Sequence, residues 1–147
     1  MKHVGWYADY FAAVTGRSTG PDDIISTSEA VYNFQRIFNL KMGFGRRSHD
    51  KIPYRAVGPV TESEYESRIK RYDNQLVETH KVDISGKSTQ EKVAILRKIR
   101  EKQYEKLTDA VYRRRWWTND GIPSVETVKR LCIDFSEVLD LLESHGV

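Results

Sequence analysis

The chain has 147 residues, 39% hydrophobic and 31% charged, with 24 Lys and Arg against 21 Asp and Glu for a formal charge of +3. That length suits one ordinary domain with a real core, and so slight and interspersed a basic excess disfavours nucleic acid as a partner. No apolar run approaches the roughly 18 residues that span a bilayer and the N-terminus lacks the apolar core of a signal peptide, so a cytoplasmic protein with no membrane partner is expected.

Helical periodicity dominates in chain order. Trp6, Tyr10 or Phe11, and Val14 recur at steps of three and four before Gly16, which predicts a short first helix with a glycine C-cap. Pro21, Asp22 and Asp23 then open a long second helix, because proline presets φ and carboxylates favour the positive helix end. Its predicted apolar stripe is Ile24, Val31, Phe34, Phe38 and Met42, and Gly43 stops it. A basic connector of about eighteen residues follows, a length usual for functional loops or ones wrapped over a neighbour. Thr61 and Glu64 form a capping box for a third helix through Tyr65, Ile69, Tyr72 and Leu76 to about Lys81. A second box, Ser88 with Glu91, starts a charged helix reaching about Arg115, with Val93, Leu96, Ile99, Leu107 and Val111 as its stripe. Ser124 caps a short helix to Leu131, and Asp134 with Glu137 opens a last one carrying Phe135, Val138, Leu139 and Leu142. No stretch alternates as a strand would. The fold class is therefore all-α, a single domain of five to six helices with a long basic loop after the second.

The residues carry little self-contained chemistry. The run GFGRRSHDKIPYR follows a helix, not a strand, and lacks the spacing of a phosphate loop. His49 beside Asp50 has the makings of an acid/base pair, but neighbours in a loop usually point apart, so a solvent-exposed pair is expected. YRRRWW, from Tyr112 to Trp117, interleaves cations with aromatics as single-strand binders do; a helix C-terminus with its tryptophans in the core is the simpler reading. His3, His80 and His145 show no ligand spacing. The lone Cys132 excludes an intrachain disulfide or a four-thiolate cluster, and its place in VKRLCIDF predicts a buried, inert thiol.

Three stretches together point further. They are AAVTG followed by Asp22 and Asp23; AVYNFQRIFNLKMGFGRRSHDKIPYR, with Asn33, Arg36, Phe38, Asn39, Gly43, Phe44, Pro53 and Arg55 in a pattern N-x-x-R-x-F-N-x-x-x-G-F then Pro-x-Arg; and YRRRWWTNDGIPSVETVKRLCID. In this order they resemble the C-terminal helical region of the aldehyde ferredoxin oxidoreductase family, whose members carry a tungsten or molybdenum pterin and a [4Fe-4S] cluster. Trp116 and Cys132 depart from the pattern, each standing where the family often has glycine. The segment from Glu62 to Lys106 is longer than the usual spacer and is similar to the subgroup that includes benzoyl-CoA reductase subunits.

The resemblance implies aldehyde oxidation by a parent enzyme, with pterin- and cluster-binding domains as partners and no cofactor, metal or catalytic residue in this chain. A detached portion, inactive alone and prone to self-association through aromatic patches, is expected. Asn39, Gly43, Phe44, Arg46, Arg47, His49, Pro53 and Arg55 become an interface loop or one bordering a substrate channel. The alternative is a free-standing helical module that binds an acidic partner or single-stranded nucleic acid through the basic loop and RRRWW.

Overall fold

A computed structural model describes residues 2–147. Among them the chain forms seven α-helices and no strand: α1 (Lys2–Thr15), α2 (Pro21–Lys41), α3 (Glu62–Glu66), α4 (Ile69–Asn74), α5 (Thr89–Arg115), α6 (Val125–Arg130) and α7 (Ser136–Ser144). The all-α expectation holds, while the predicted third helix is broken. It stops at Ser67 and Arg68, restarts as α4 and runs into a π-helical turn over Gln75–Thr79. The connector after α2 is not featureless, since short 3-10 turns occupy Arg47–His49 and Tyr54–Val57.

The chain divides into two compact units, Met1–Asp50 with Tyr112–Val147, and Lys51–Val111. The first unit is built on Ile37 and Leu40 of α2, Ile122, Val128 of α6, Leu131, Ile133, and Val138 and Leu142 of α7. The second is built on Tyr65, Tyr72, Leu76, Val93 and Leu96, with Val82, Ile84, Ile95 and Ile99 packed against them.

Capping chemistry sets the helix starts much as the sequence predicts. The Asp23 carboxylate accepts the Gly20 N–H at 2.8 Å. Thr61 Oγ1 accepts the Glu64 N–H at 3.2 Å, and Glu64 answers by accepting the Val60 and Thr61 N–H groups. Ser88 and Glu91 exchange the same reciprocal bonds, and Ser124 Oγ accepts from Thr127 N–H. At α7 the expectation shifts by one residue, because Phe135 is the N-cap and offers no side-chain bond.

Several helix ends share one device. Beyond α2 the Phe44 N–H reaches Asn39 O and the Gly43 N–H reaches Leu40 O, with Gly43 at φ 84°. This paired 6→1 and 5→2 closure needs its middle residue left-handed, and glycine supplies that conformation cheaply. The same closure ends α5 at Trp116 (φ 57°), with Trp117 N–H on Tyr112 O and Trp116 N–H on Arg113 O. It ends α6 at Cys132 (φ 54°), with Ile133 N–H on Val128 O and Cys132 N–H on Lys129 O. The two positions at which the sequence departs from a family glycine are thus both left-handed.

Three sequence expectations are corrected here. Cys132 is exposed in this turn, because α6 ends before it. The stripe Val31, Phe34, Phe38 and Met42 faces solvent, and α2 instead buries Asn33, Arg36, Ile37 and Leu40. Trp6, Tyr10, Phe11 and Val14 of α1, and Leu107 and Val111 of α5, are likewise exposed, with Ala8 the buried residue of α1. Hydrophobic periodicity marked α2 as a helix but chose its wrong face, since two polar side chains are satisfied inside.

Two stability measurements check this account. Leu96→Ala, at a fully buried position, is expected to cost about 3 kcal/mol in denaturant unfolding. Cys132→Gly is expected to raise stability by about 0.5–1 kcal/mol, because relief of the left-handed backbone exceeds the added entropy of the unfolded glycine.

Candidate functional site

The densest polar arrangement in the first unit centres on Arg36. One turn apart on α2, Asn33 and Arg36 face the same way, and both are buried. The Arg36 Nε donates to Gly121 O at 3.0 Å, and its two terminal nitrogens donate to Asp50 Oδ1 and Oδ2 at 2.8 and 2.6 Å. The Tyr112 hydroxyl donates to the same Asp50 Oδ2. The Trp117 Nε1–H donates to Asn33 Oδ1 at 2.7 Å, and the Arg36 guanidinium lies 4.8 Å from the Trp117 ring centre. A planar fork matched to a carboxylate is the strongest ion-pair geometry a protein offers.

Gly121 is required by this network. It sits at φ 78°, and a Cβ there would collide with Arg36 Nη2 and stand 2.7 Å from the Tyr112 hydroxyl. The arrangement also fixes protonation. Burial alone pushes the Asp50 carboxyl up, but the hydrogen bonds from Arg36 and Tyr112 and the adjacent positive charge outweigh it and hold the carboxyl below its usual range. Burial, followed by the bond to Asp50, pushes the Tyr112 phenol up to about 12.

Asp50 is therefore no solvent-exposed partner of His49. Its oxygens are turned to Arg36 and Tyr112, while His49 Nδ1 accepts the Arg46 backbone N–H at 3.3 Å and its ring lies edge-on to Phe44. The tryptophans also separate: Trp117 is buried, as predicted, but Trp116 is 70% exposed.

The predicted loop residues are placed in two units. In the first, Asn39 and Gly43 close the end of α2, and Phe44 is exposed. Arg46 pairs with Asp120 at 3.0 Å and donates to His145 Nδ1 at 2.6 Å. Arg47 donates to Asn119 O at 3.2 Å, with its guanidinium over the Tyr112 ring. In the second unit, Pro53 precedes the 3-10 turn and Arg55 pairs with Glu64 at 2.5 Å. Sequence reasoning passed over Tyr112, Gly121 and Asp120 as site residues. The one signal available was the NDGIP turn, whose glycine the Arg36 contact explains.

No group of three His, Cys, Asp or Glu among the described residues is placed to hold a metal ion, and no described helix is long and apolar enough to cross a membrane. The Arg36 centre turns its polar atoms on one another and so ties α2 to Asp50, Tyr112 and the turn at Gly121.

Asp50→Asn is expected to cost about 2–3 kcal/mol, because it leaves a nearly buried guanidinium without its counter-charge. Because the folded carboxyl titrates below its unfolded value of about 4, its contribution is full above that value and is lost as pH falls through the lower folded one. Acid unfolding of the wild type followed by circular dichroism, compared with the variant, checks both points; the gap between the two is expected to narrow below about pH 4.

No curated protein and no solved structure matches the chain. The family model for aldehyde ferredoxin oxidoreductase, domains 2 & 3, matches residues 1–133, and that span contains Asn33, Arg36, Gly43, Tyr112, Gly121 and both left-handed helix ends. The chain belongs to the aldehyde ferredoxin oxidoreductase family and carries its domain 2 and 3 region.

Proposed function

We propose that the chain is the helical C-terminal part of an enzyme that oxidises aldehydes to carboxylic acids and passes the electrons on through a [4Fe-4S] cluster, and that it supplies packing surface while other domains supply the chemistry. The observation that carries this reading is the family match to domains 2 and 3 in a chain whose motif residues are spent on architecture. A four-iron cluster takes four thiolates, and this chain has one cysteine. With no metal-holding group among the described residues either, the residues present do not fit a resident cluster or metal ion.

Exposed apolar side chains support a role beside other domains. Large exposed patches on a soluble unit mark contact surfaces, and α1 and α2 present Trp6, Tyr10, Phe34 and Phe38 to solvent. In this reading the loop residues Asn39, Gly43, Phe44, Arg46, Arg47, His49, Pro53 and Arg55 border the parent enzyme's substrate region. The second unit, with a core of its own, supports placement in the longer subgroup that includes benzoyl-CoA reductase-like subunits.

A second reading rests on Arg113 and Arg114, which pair with no carboxylate among the described residues, beside the exposed Trp116. These are the elements that would grip an acidic partner or a single strand. Salt-dependent oligonucleotide binding, weakened by Arg113→Ala with Trp116→Ala, would favour it over the first.

The purified chain is expected to contain no tungsten, molybdenum or iron by elemental analysis and to turn over no aldehyde with a viologen acceptor. Stoichiometric metal with turnover would overturn the domain reading.

A further inference from the structure

The second unit contains a cleft of ≈ 310 Å³ lined by Arg55, Gly58, Pro59, Glu64, Arg68 and Tyr72. Its size is at the lower end of small-ligand sites. What sets it apart is the charge behind its wall. Arg97 is 7% exposed, and its guanidinium donates only to backbone carbonyls, those of Gly58, Pro59 and Tyr54 at 3.2, 3.3 and 2.8 Å. Two of those residues line the cleft, so this charge lies directly behind them.

Arg100 adds a second charge. It donates to Val57 O at 3.1 Å and Gln75 Oε1 at 2.8 Å, and it sits 5.5 Å from the centre of the Tyr72 ring. A Cβ on Gly58 would stand 2.7 Å from Arg100 Nη1, so glycine lets the wall lie against the guanidinium. Among the described residues neither Arg97, Arg100 nor Arg68 has a carboxylate within ion-pair distance.

Glu64 is the acid on the wall, and its oxygens are engaged: Oε1 takes Arg55 at 2.5 Å and Oε2 takes the Val60 N–H at 2.7 Å. Four guanidinium groups thus face or underlie the cleft against one carboxylate. Buried cations without counter-ions are costly and leave uncompensated positive potential nearby. A singly charged anion would offset a third of that excess, whereas a phosphate group brings two charges and oxygens suited to the guanidinium fork.

We propose that this cleft binds a small phosphate-bearing ligand, with Arg68 and Arg55 on its oxygens and Arg97 and Arg100 supplying charge through the wall. Among the described residues Arg68 makes no ion pair or side-chain hydrogen bond, and it is the residue to test.

The experiment is calorimetric titration of the 147-residue chain with inorganic pyrophosphate, and separately with acetate, at matched low ionic strength. Saturable pyrophosphate binding is expected, with little response to acetate. Arg68→Ala should weaken it about tenfold, the loss of one charged hydrogen bond, at an unchanged melting temperature. Absence of saturable binding, or equal affinity in Arg68→Ala and Arg55→Ala, would overturn the proposal. So would a short oligonucleotide that binds more tightly than pyrophosphate with the same dependence on Arg68, since the ligand would then be a polymer.

Discussion

The first unit depends on the Arg36 guanidinium. It reaches a backbone carbonyl, a bidentate carboxylate and an aromatic face at once, and so ties α2 to the loop that ends at Asp50 and to the turn around Gly121. A guanidinium so nearly buried is tolerated because every direction of its fork is met; any one partner left out would turn the same group into a liability. Asn33 extends the tie by accepting from the Trp117 indole while its amide donates to Glu29 O. The buried face of α2 is consequently half polar, and the helix leaves Val31, Phe34, Phe38 and Met42 exposed.

That division gives the family's motif residues in this chain a structural role. Asn33, Arg36, Gly43, Tyr112 and Gly121 are constrained by packing, hydrogen bonding and backbone conformation. Each would be required whether or not this part of the enzyme touched its substrate. The apolar residues on the outward side of α1 and α2 take no part in that network and stand exposed.

The second unit solves the problem of buried charge differently. Arg97 and Arg100 are met by carbonyl dipoles and aromatic faces, including Tyr54 at 3.9 Å from Arg97, and not by acids. Dipoles satisfy the donors but leave the charge, and the cleft beside Gly58 and Tyr72 inherits it. Elsewhere in the same unit Asp73 gathers the Tyr65 hydroxyl and the Lys92 ammonium, a charge that is neutralised. The contrast sharpens the asymmetry at the arginines.

The amino-acid sequence by itself determined the helical class, the helix starts and most of the stops, because capping boxes, Pro21 and the glycines act over three or four residues. It also carried enough ordered motif to place the chain in its family. Only the tertiary structure decided which face of α2 is buried, because partners for Asn33 and Arg36 come from residues some 85 positions away, and apolar periodicity cannot register a polar group that will be satisfied. For the same reason Asp50 reads in sequence as the neighbour of His49 and in space as the counter-ion of Arg36. Cys132 reads as core until the closure of α6 turns it outward. The charge behind the Gly58 wall was illegible as well: arginines at 97 and 100 look like any solvated helix face until the chain folds carbonyls, and no carboxylate, over them.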